Sequence, residues 1–220
     1  MKQAPEAVPR SLRILLERLA DAGVAQGFYL AGGTGLALRL NHRRSVDLDF
    51  FSRTNRLDFA GRQALLVRLR KFPTWNILEA TDGTVHGLIG RVRLSFFWYE
   101  APLVKPTSRH GALRLASLED IGVMKLGAII GRGSRKDFVD LYAICRRIPL
   151  SRLLTLARRK FRDARDVTLQ ALKALSFFED AEKDPAVMMV RPVPWDRITA
   201  FFSREVRRLS QGYLTSRRRA

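Results

Sequence analysis

F-Y-L-A-G-G-T-G-L-A-L-R-L-N-H-R-R-S-V-D-L-D-F-F-S, from Phe28 to Ser52, holds the pattern from which the fold of this chain follows. A short apolar run breaks at Gly32-Gly33-Thr34, resumes at helical spacing to about Asn41, and ends in strict alternation around Asp47 and Asp49. That order predicts strand, glycine-rich turn, helix, strand. Successive strand side chains point to opposite faces, so Asp47 and Asp49 are expected on one face and Val46, Leu48 and Phe50 on the other. Two adjacent carboxylates attract divalent metal, and a turn that presents N–H groups and a hydroxyl at a helix N-terminus suits phosphate. Taken singly, Gly-Gly-Thr more often serves only the backbone and an isolated Asp-x-Asp more often marks an amphipathic edge strand. One strand-helix unit apart, they favour metal and phosphate chemistry together. The spacing fits neither a Walker A motif nor G-x-G-x-x-G, which removes the nucleotide-switch and Rossmann readings.

Outward from this stretch, Ser11 is the expected N-cap of a helix carrying Leu12, Leu15, Leu16, Leu19 and Ala20, ended by Gly23. Downstream, Leu57 to Arg70 reads as an amphipathic helix stopped at Pro73. Trp75 to Ala80, Thr84 to Ile89 and Arg91 to Tyr99 read as strands around an Asp82-Gly83 turn and a break at Gly90, with another short strand at Ala112 to Ala116. From Ser117 the pattern becomes helical, with helices expected around Ile121 to Ile129, from Ser134 through Cys145, and at Ser151 to Arg159, Asp166 to Phe178 and Trp195 to Leu209. Arg217 to Arg219 reads as a frayed tail. The expected architecture is α/β (α+β): a mixed sheet with flanking helices in residues 1–116, then a helical domain in 117–220. There is no internal repeat.

The 220 residues are 46% hydrophobic, enough for a real core. Forty Lys plus Arg against twenty-one Asp plus Glu leave +19 at neutral pH. Such a field favours polyanions, nucleic acid first, with a solvated basic surface or an acidic protein partner as the competing explanations. Cys145 is the only cysteine, which rules out an intrachain disulfide and a cysteine-rich zinc site. The first ten residues carry two prolines and no apolar signal core, and no apolar run reaches the roughly 18 residues of a membrane span. A soluble, cytoplasmic protein is the expectation.

The run G-G-T followed by R-R-S-V-D-L-D-F-F resembles the polymerase-beta-type nucleotidyltransferases. Within them, R-V-R-L-S-F-F-W-Y-E-A-P-L and L-E-D-I-G-V-M-K-L-G-A-I-I-G-R-G-S-R-K-D-F-V-D-L-Y resemble the AbiEii/AbiGii toxin family of bacterial toxin-antitoxin systems. The likeness runs from about Tyr29 to Ile144. It implies a nucleotidyltransferase in which Gly32, Gly33 and Thr34 hold the phosphates of a nucleoside triphosphate, Asp47 and Asp49 ligate one or two Mg2+ ions, and Arg44 and Ser45 give electrostatic and structural support. It further implies that Lys125 contacts the triphosphate and that Asp137 is a further catalytic or positioning carboxylate. RNA, tRNA foremost, is the implied acceptor and a separately encoded antitoxin the implied partner.

Each implied role has a plainer competitor. Lys125 reads equally as a solvated helix lysine, Asp137 as a cap near Ser134, and Asp140 as a partner of Arg135 or Arg147. His42, His86 and His110 lack ligand spacing, and Trp75, Trp98 and Trp195 read as packing residues. One departure matters: many members of the superfamily carry a third carboxylate on the strand beside the Asp-x-Asp strand, where the pattern places Ser95, with Glu79 a weaker substitute. A hydroxyl cannot act as a general base or anionic metal bridge in its stead. The rival to an enzyme is therefore a catalytically impaired nucleotidyltransferase fold that binds nucleic acid. Transfer onto a protein is a third outcome.

Overall fold

The computed structural model describes residues 6–162 and 164–217. Up to Ser117 the elements run α1 (Arg10–Asp21), β1 (Tyr29–Leu30), α2 (Gly32–Leu40), β2 (Leu48–Ser52), α3 (Phe59–Leu69), β3 (Trp75–Thr81), β4 (Thr84–Ile89), β5 (Val92–Trp98), β6 (Ser108–His110) and β7 (Leu113–Leu115). From Leu118 they run α4 (Leu118–Arg132), α5 (Arg135–Cys145), α6 (Leu150–Lys160), α7 (Val167–Ala174), α8 (Glu179–Lys183) and α9 (Trp195–Arg217). The chain divides between Ser117 and Leu118 into two compact units, one built on a sheet and one of helices.

In the first unit a seven-stranded mixed sheet has the order β3-β4-β5-β2-β1-β7-β6. β2 runs parallel to β5 and β1 parallel to β7, while β1–β2 and the remaining neighbours are antiparallel. The β3–β4–β5 meander turns at Gly83 and Gly90, both at positive φ, where a side chain would be strained. Alternation in β2 buries Leu48, Phe50 and Ser52 and leaves Asp49 and Phe51 half-exposed. Phe50 stacks on Phe96 with ring centres 5.1 Å apart, and Phe28 meets Phe96 edge-on at 5.3 Å. Three aromatic side chains thus form the floor beneath the strand that carries the acids. Full burial of each is worth about 1.5–3 kcal/mol.

Several elements differ from their expected form. α1 starts at Arg10 rather than after Ser11, because Pro9, with φ fixed near the helical value and no N–H to leave unpaired, offers its carbonyl to the N–H groups of Leu12 and Arg13. Val46 is 43% exposed rather than in the core. The segment before β2 is held instead by the Ser45 N–H donating to the Ala7 carbonyl at 2.8 Å, so the ladder starts at Leu48. α3 begins one residue after Asp58, whose carboxylate accepts the Gly61 N–H, and Leu57 lies outside it at φ +52°. β6 was not foreseen.

In the helical unit α4 continues through Gly131 and stops at Gly133, which takes positive φ. Gly122 brings α4 close to α6: a Cβ there would lie 2.8 Å from a methyl of Leu153. Phe138 on α5 is enclosed by Phe178, Trp195 and Phe202, with ring centres 5.3, 6.0 and 5.6 Å away, which docks α9 onto α5 and gives Trp195 the packing role expected of it. The single helix expected from Asp166 to Phe178 is two, α7 and α8, since the chain turns through Ser176, whose hydroxyl donates to the Lys173 carbonyl. α9 extends to Arg217; positions 218 and 219 of the expected tail lie outside the described residues.

Candidate active site

β1 leads into α2 through Ala31 and Gly32, and the antiparallel pairing of β1 with β2 brings this turn against the acids. Leu30 is the register partner of Phe50, and the Ala31 N–H donates to the Asp49 carbonyl at 3.0 Å. Gly32 has φ +59°, and a Cβ placed on it would lie 2.2 Å from an Asp49 carboxylate oxygen. Glycine is required twice here, once by the backbone and once by the neighbour. A Cβ on Gly33 would meet the Arg43 guanidinium at 2.5 Å and the Ser45 hydroxyl at 2.8 Å. Main-chain atoms of the turn therefore stand directly beside a carboxylate on one side and a guanidinium on the other.

Thr34 is fully buried; its hydroxyl lies 2.9 Å from that of Ser45 and donates to the Asp47 carbonyl at 2.5 Å. The side chains of Thr34 and Ser45 thus tie the turn to the approach of β2, and that of Thr34 is directed into the protein rather than toward a ligand. Asp47 is exposed and Asp49 half-exposed. Of the two adjacent arginines, Arg44 is exposed, whereas Arg43 is 6% exposed and donates to the Arg44 carbonyl at 3.0 Å. Sequence reasoning named Arg44 and missed Arg43. The sequence signal for Arg43 was its place opposite the glycines, which only the tertiary turn supplies.

Asp49 and Ser95 are register partners on the parallel strands β2 and β5. Ser95 pairs in turn with His86 on β4, and His86 with Glu79 on β3, so one row crosses four strands on one face. Three inter-strand steps place Glu79 about 14 Å of backbone from Asp49, too far to substitute for a neighbouring carboxylate. His86 Nδ1 is buried without a hydrogen-bond partner, and its ring meets Phe97 edge-on at 5.2 Å. Among the described residues no three His, Cys, Asp or Glu side chains converge in a metal cage. Asp47 and Asp49 are accessible oxygen donors, the ligand type that suits a divalent cation.

The helical unit gathers a second polar centre. Lys125 on α4 is 6% exposed, and its ammonium lies 2.8 Å from Asp137 and 2.6 Å from Asp140 of α5. Arg132 donates to both oxygens of Asp137, at 2.8 and 3.1 Å, and the Ser134 hydroxyl donates to it at 2.7 Å. Burial alone would lower the Lys125 pKa, but Asp140 and Asp137 outweigh it and hold the ammonium above its ordinary value. Burial opposes ionisation of Asp137 as well, yet Lys125 and Arg132 hold its carboxyl down at about 2. Lys125 is therefore not a solvated lysine. Asp140 pairs with it rather than with Arg135 or Arg147; Arg135 donates to the Ala181 carbonyl and lies over the Trp195 ring at 4.8 Å.

The family model described as nucleotidyl transferase AbiEii toxin, type IV TA system, matches residues 13–211. The chain belongs to the AbiEii nucleotidyltransferase toxin family. A relative in Aquifex aeolicus (strain VF5), itself uncharacterized, is 34% identical over 203 residues, covering 89% of this chain and 94% of that protein. Among solved structures, MenT4, the nucleotidyltransferase toxin Rv2826c from Mycobacterium tuberculosis H37Rv, superposes with a TM-score of 0.60 at 14% identity, covering 94% of this chain and 84% of that one. The antibiotic-resistance factor ANT(2'')-Ia gives a TM-score of 0.54 at 17% identity over 70% of this chain and 92% of that one. These likenesses establish a shared fold.

As an AbiEii toxin-family member, the chain is a nucleotidyltransferase by family and implies a cognate antitoxin. No helix among the described residues is long and apolar enough to cross a membrane. Of the residues that sequence reasoning selected in this AbiEii chain, the structure brings Gly32, Gly33, Thr34, Ser45, Asp47 and Asp49 into one neighbourhood of the first unit. It brings Lys125 and Asp137 together in the second.

Proposed function

We propose that this chain transfers a nucleoside monophosphate from a nucleoside triphosphate to a hydroxyl of RNA, with tRNA as the leading acceptor, in a magnesium-dependent reaction restrained by the cognate antitoxin in the cytoplasm. One observation carries this reading: at Gly32 the absence of a side chain sets the main chain of a helix N-terminus against the Asp49 carboxylate. Phosphate oxygens are received by N–H groups at such a terminus, and the adjacent acid supplies a cation site within reach of the same phosphates. Asp47 and Asp49 would hold the cation, which supplies Lewis-acid polarisation of the triphosphate. Gly32 and Gly33 would line the phosphates, Arg43 and Arg44 would add positive charge, and Thr34 with Ser45 would keep the turn in place. The acceptor oxygen bonds to the α-phosphorus, the bond from that phosphorus to the α,β-bridging oxygen breaks, and pyrophosphate departs with the electron pair. The hydroxyl proton passes to a carboxylate of the pair or to water.

Lys125 and Asp137 enter this proposal as one buried unit with Asp140, bridged at its rim by the exposed Arg132 and joining α4 to α5. Incubation with α-labelled nucleoside triphosphates, magnesium and total RNA tests the proposal. Label should move to RNA, and Asp49→Ala or Asp47→Ala should abolish the transfer with the melting curve unchanged.

A second reading rests on Ser95, the register partner of Asp49. In it the fold has lost full metal capacity and serves as a nucleic-acid-binding module. Salt-sensitive RNA binding, no label transfer and indifference to Asp49→Ala would favour this reading. Label on a polypeptide, or on a small-molecule hydroxyl as in the adenylyl-2''-tobramycin complex of ANT(2'')-Ia, would replace the acceptor while leaving the chemistry.

A further inference from the structure

One concavity of the helical unit gathers four of the chain's forty Lys and Arg side chains. Where α6 ends and α7 begins, a cavity of about 820 Å³ is lined by Arg158, Arg162, Arg165 and Lys173, with Thr168 and Gln170 between them. The four cations are exposed, and among the described residues none of them forms an ion pair. They contrast with Lys160 one turn away, which is buried and paired with Asp120 at 3.0 Å. Among the described residues the carboxylate that lines the cavity is Asp166, which caps α7 by accepting the Leu169 N–H at 3.2 Å and also accepts the Tyr213 hydroxyl. Both bonds are charge-assisted and hold that acid in place, with its negative charge still at the cavity.

Two details make this more than a solvated basic face. The Thr168 hydroxyl is buried without a hydrogen-bond partner, although it belongs to the lining. A buried hydroxyl left unpaired costs about 1–3 kcal/mol, which a ligand oxygen would recover. The Gln170 side chain donates to the Arg165 carbonyl at 2.6 Å and fixes the backbone of one of the cations. The cavity also opens at the start of α7, where the helix dipole adds positive potential. Four unpaired cations, an unpaired hydroxyl and a helix N-terminus share one complement, phosphate oxygens, and a cavity of this volume exceeds what a single inorganic phosphate fills.

We infer that the concavity between α6 and α7 is a seat for the phosphate backbone of the acceptor RNA, formed by Arg158, Arg162, Arg165, Lys173 and Thr168. This deepens the proposed function and rests on its assignment of RNA as acceptor. The seat reads charge and spacing, with no base recognition, as backbone contacts do.

Binding of labelled tRNA to the full-length protein is measured across a salt series for three proteins: wild type, Arg158→Ala/Arg165→Ala, and the control Arg70→Ala/Arg91→Ala, two exposed arginines of the first unit. The cavity variant should bind at least about tenfold more weakly at 0.1 M salt, and its log-log salt slope should fall by about 1.5, the value for two lost phosphate contacts. The control should stay within about threefold. Equal losses in both variants, no loss in the cavity variant, or no RNA binding by wild type would overturn the seat. Isothermal titration with inorganic phosphate and pyrophosphate separates the sources of phosphate: tight pyrophosphate binding lost in the cavity variant, with RNA binding intact, would overturn the RNA assignment. Repeating the series in an Asp49→Ala background separates this inference from the transfer reaction. Cavity-dependent binding there, in a protein whose wild type transfers no label, would sink the transfer reading alone, whereas transfer to RNA with cavity-independent binding would sink only the seat.

Discussion

Gly32 is the residue whose replacement gives the sharpest readout. Alanine there must adopt φ near +59°, at a cost of about 1 kcal/mol, and must displace the Asp49 carboxylate that would lie 2.2 Å from its methyl. Gly32→Ala should lower label transfer at least about 100-fold while moving the melting temperature by only a few degrees; full activity in the folded variant would remove the turn from the site. The Asp137 cluster behaves in the opposite way, acting on stability first. With its carboxyl held at about 2, below the ordinary 3.8, Asp137 contributes stability that is fully present above pH 4 and is lost as pH falls through 2. That contribution is on the order of 2 kcal/mol, so Asp137→Asn should flatten the acid-unfolding curve between pH 4 and 2. Lys125→Met, which takes the ammonium from Asp140 and leaves Asp137 to Arg132 and Ser134, should cost about 3–5 kcal/mol by chemical denaturation. A Lys125→Met protein as stable as wild type would show that the cluster does not join α4 to α5.

At the scale of elements, β2 carries buried aromatic floor and accessible acids on alternate residues. Phe50→Ala should destabilise by about 3–5 kcal/mol, because it empties a stacked, fully buried site. Phe51→Ala, on the half-exposed face, should cost about 1 kcal/mol or less, and equal costs in denaturant titrations would contradict the alternation. This alternation was legible in the sequence wherever the ladder forms, because a strand has a period of two; before Leu48, Val46 and Asp47 are both exposed. The glycines of the turn were legible because two in succession break a strand or helix pattern, and Gly32 takes φ +59°. What the sequence withheld depended on the third dimension. Whether Arg43 or Arg44 turns inward is decided by the path of residues 41–47, which the Ala7 carbonyl holds, and neighbouring arginines look alike in a sequence. The Thr34 hydroxyl was assigned to phosphate because it follows two glycines; its actual acceptor is the main-chain carbonyl of Asp47, thirteen residues on. The pairing of Asp140 with Lys125 requires α4 and α5 to pack against each other, which spacing alone does not give. Short β6 carries no alternation long enough to detect.

For the whole molecule the governing quantity is +19 formal charge on 220 residues. Association with RNA should weaken by at least tenfold between 50 and 200 mM salt, as counterions return to the phosphates, with part of the slope assigned to the α6–α7 concavity and the rest dispersed. Electrophoretic mobility shifts that do not change over that range would mean that charge is not what holds the RNA.

The contact between Gly32 and Asp49 also bears on how such a toxin is lost. One added carbon at position 32, reachable from any glycine codon by a single base change, would disarm the protein while sparing its fold, its surface and its charge. Selection for survivors of toxin expression should therefore return substitutions at this codon among full-length alleles.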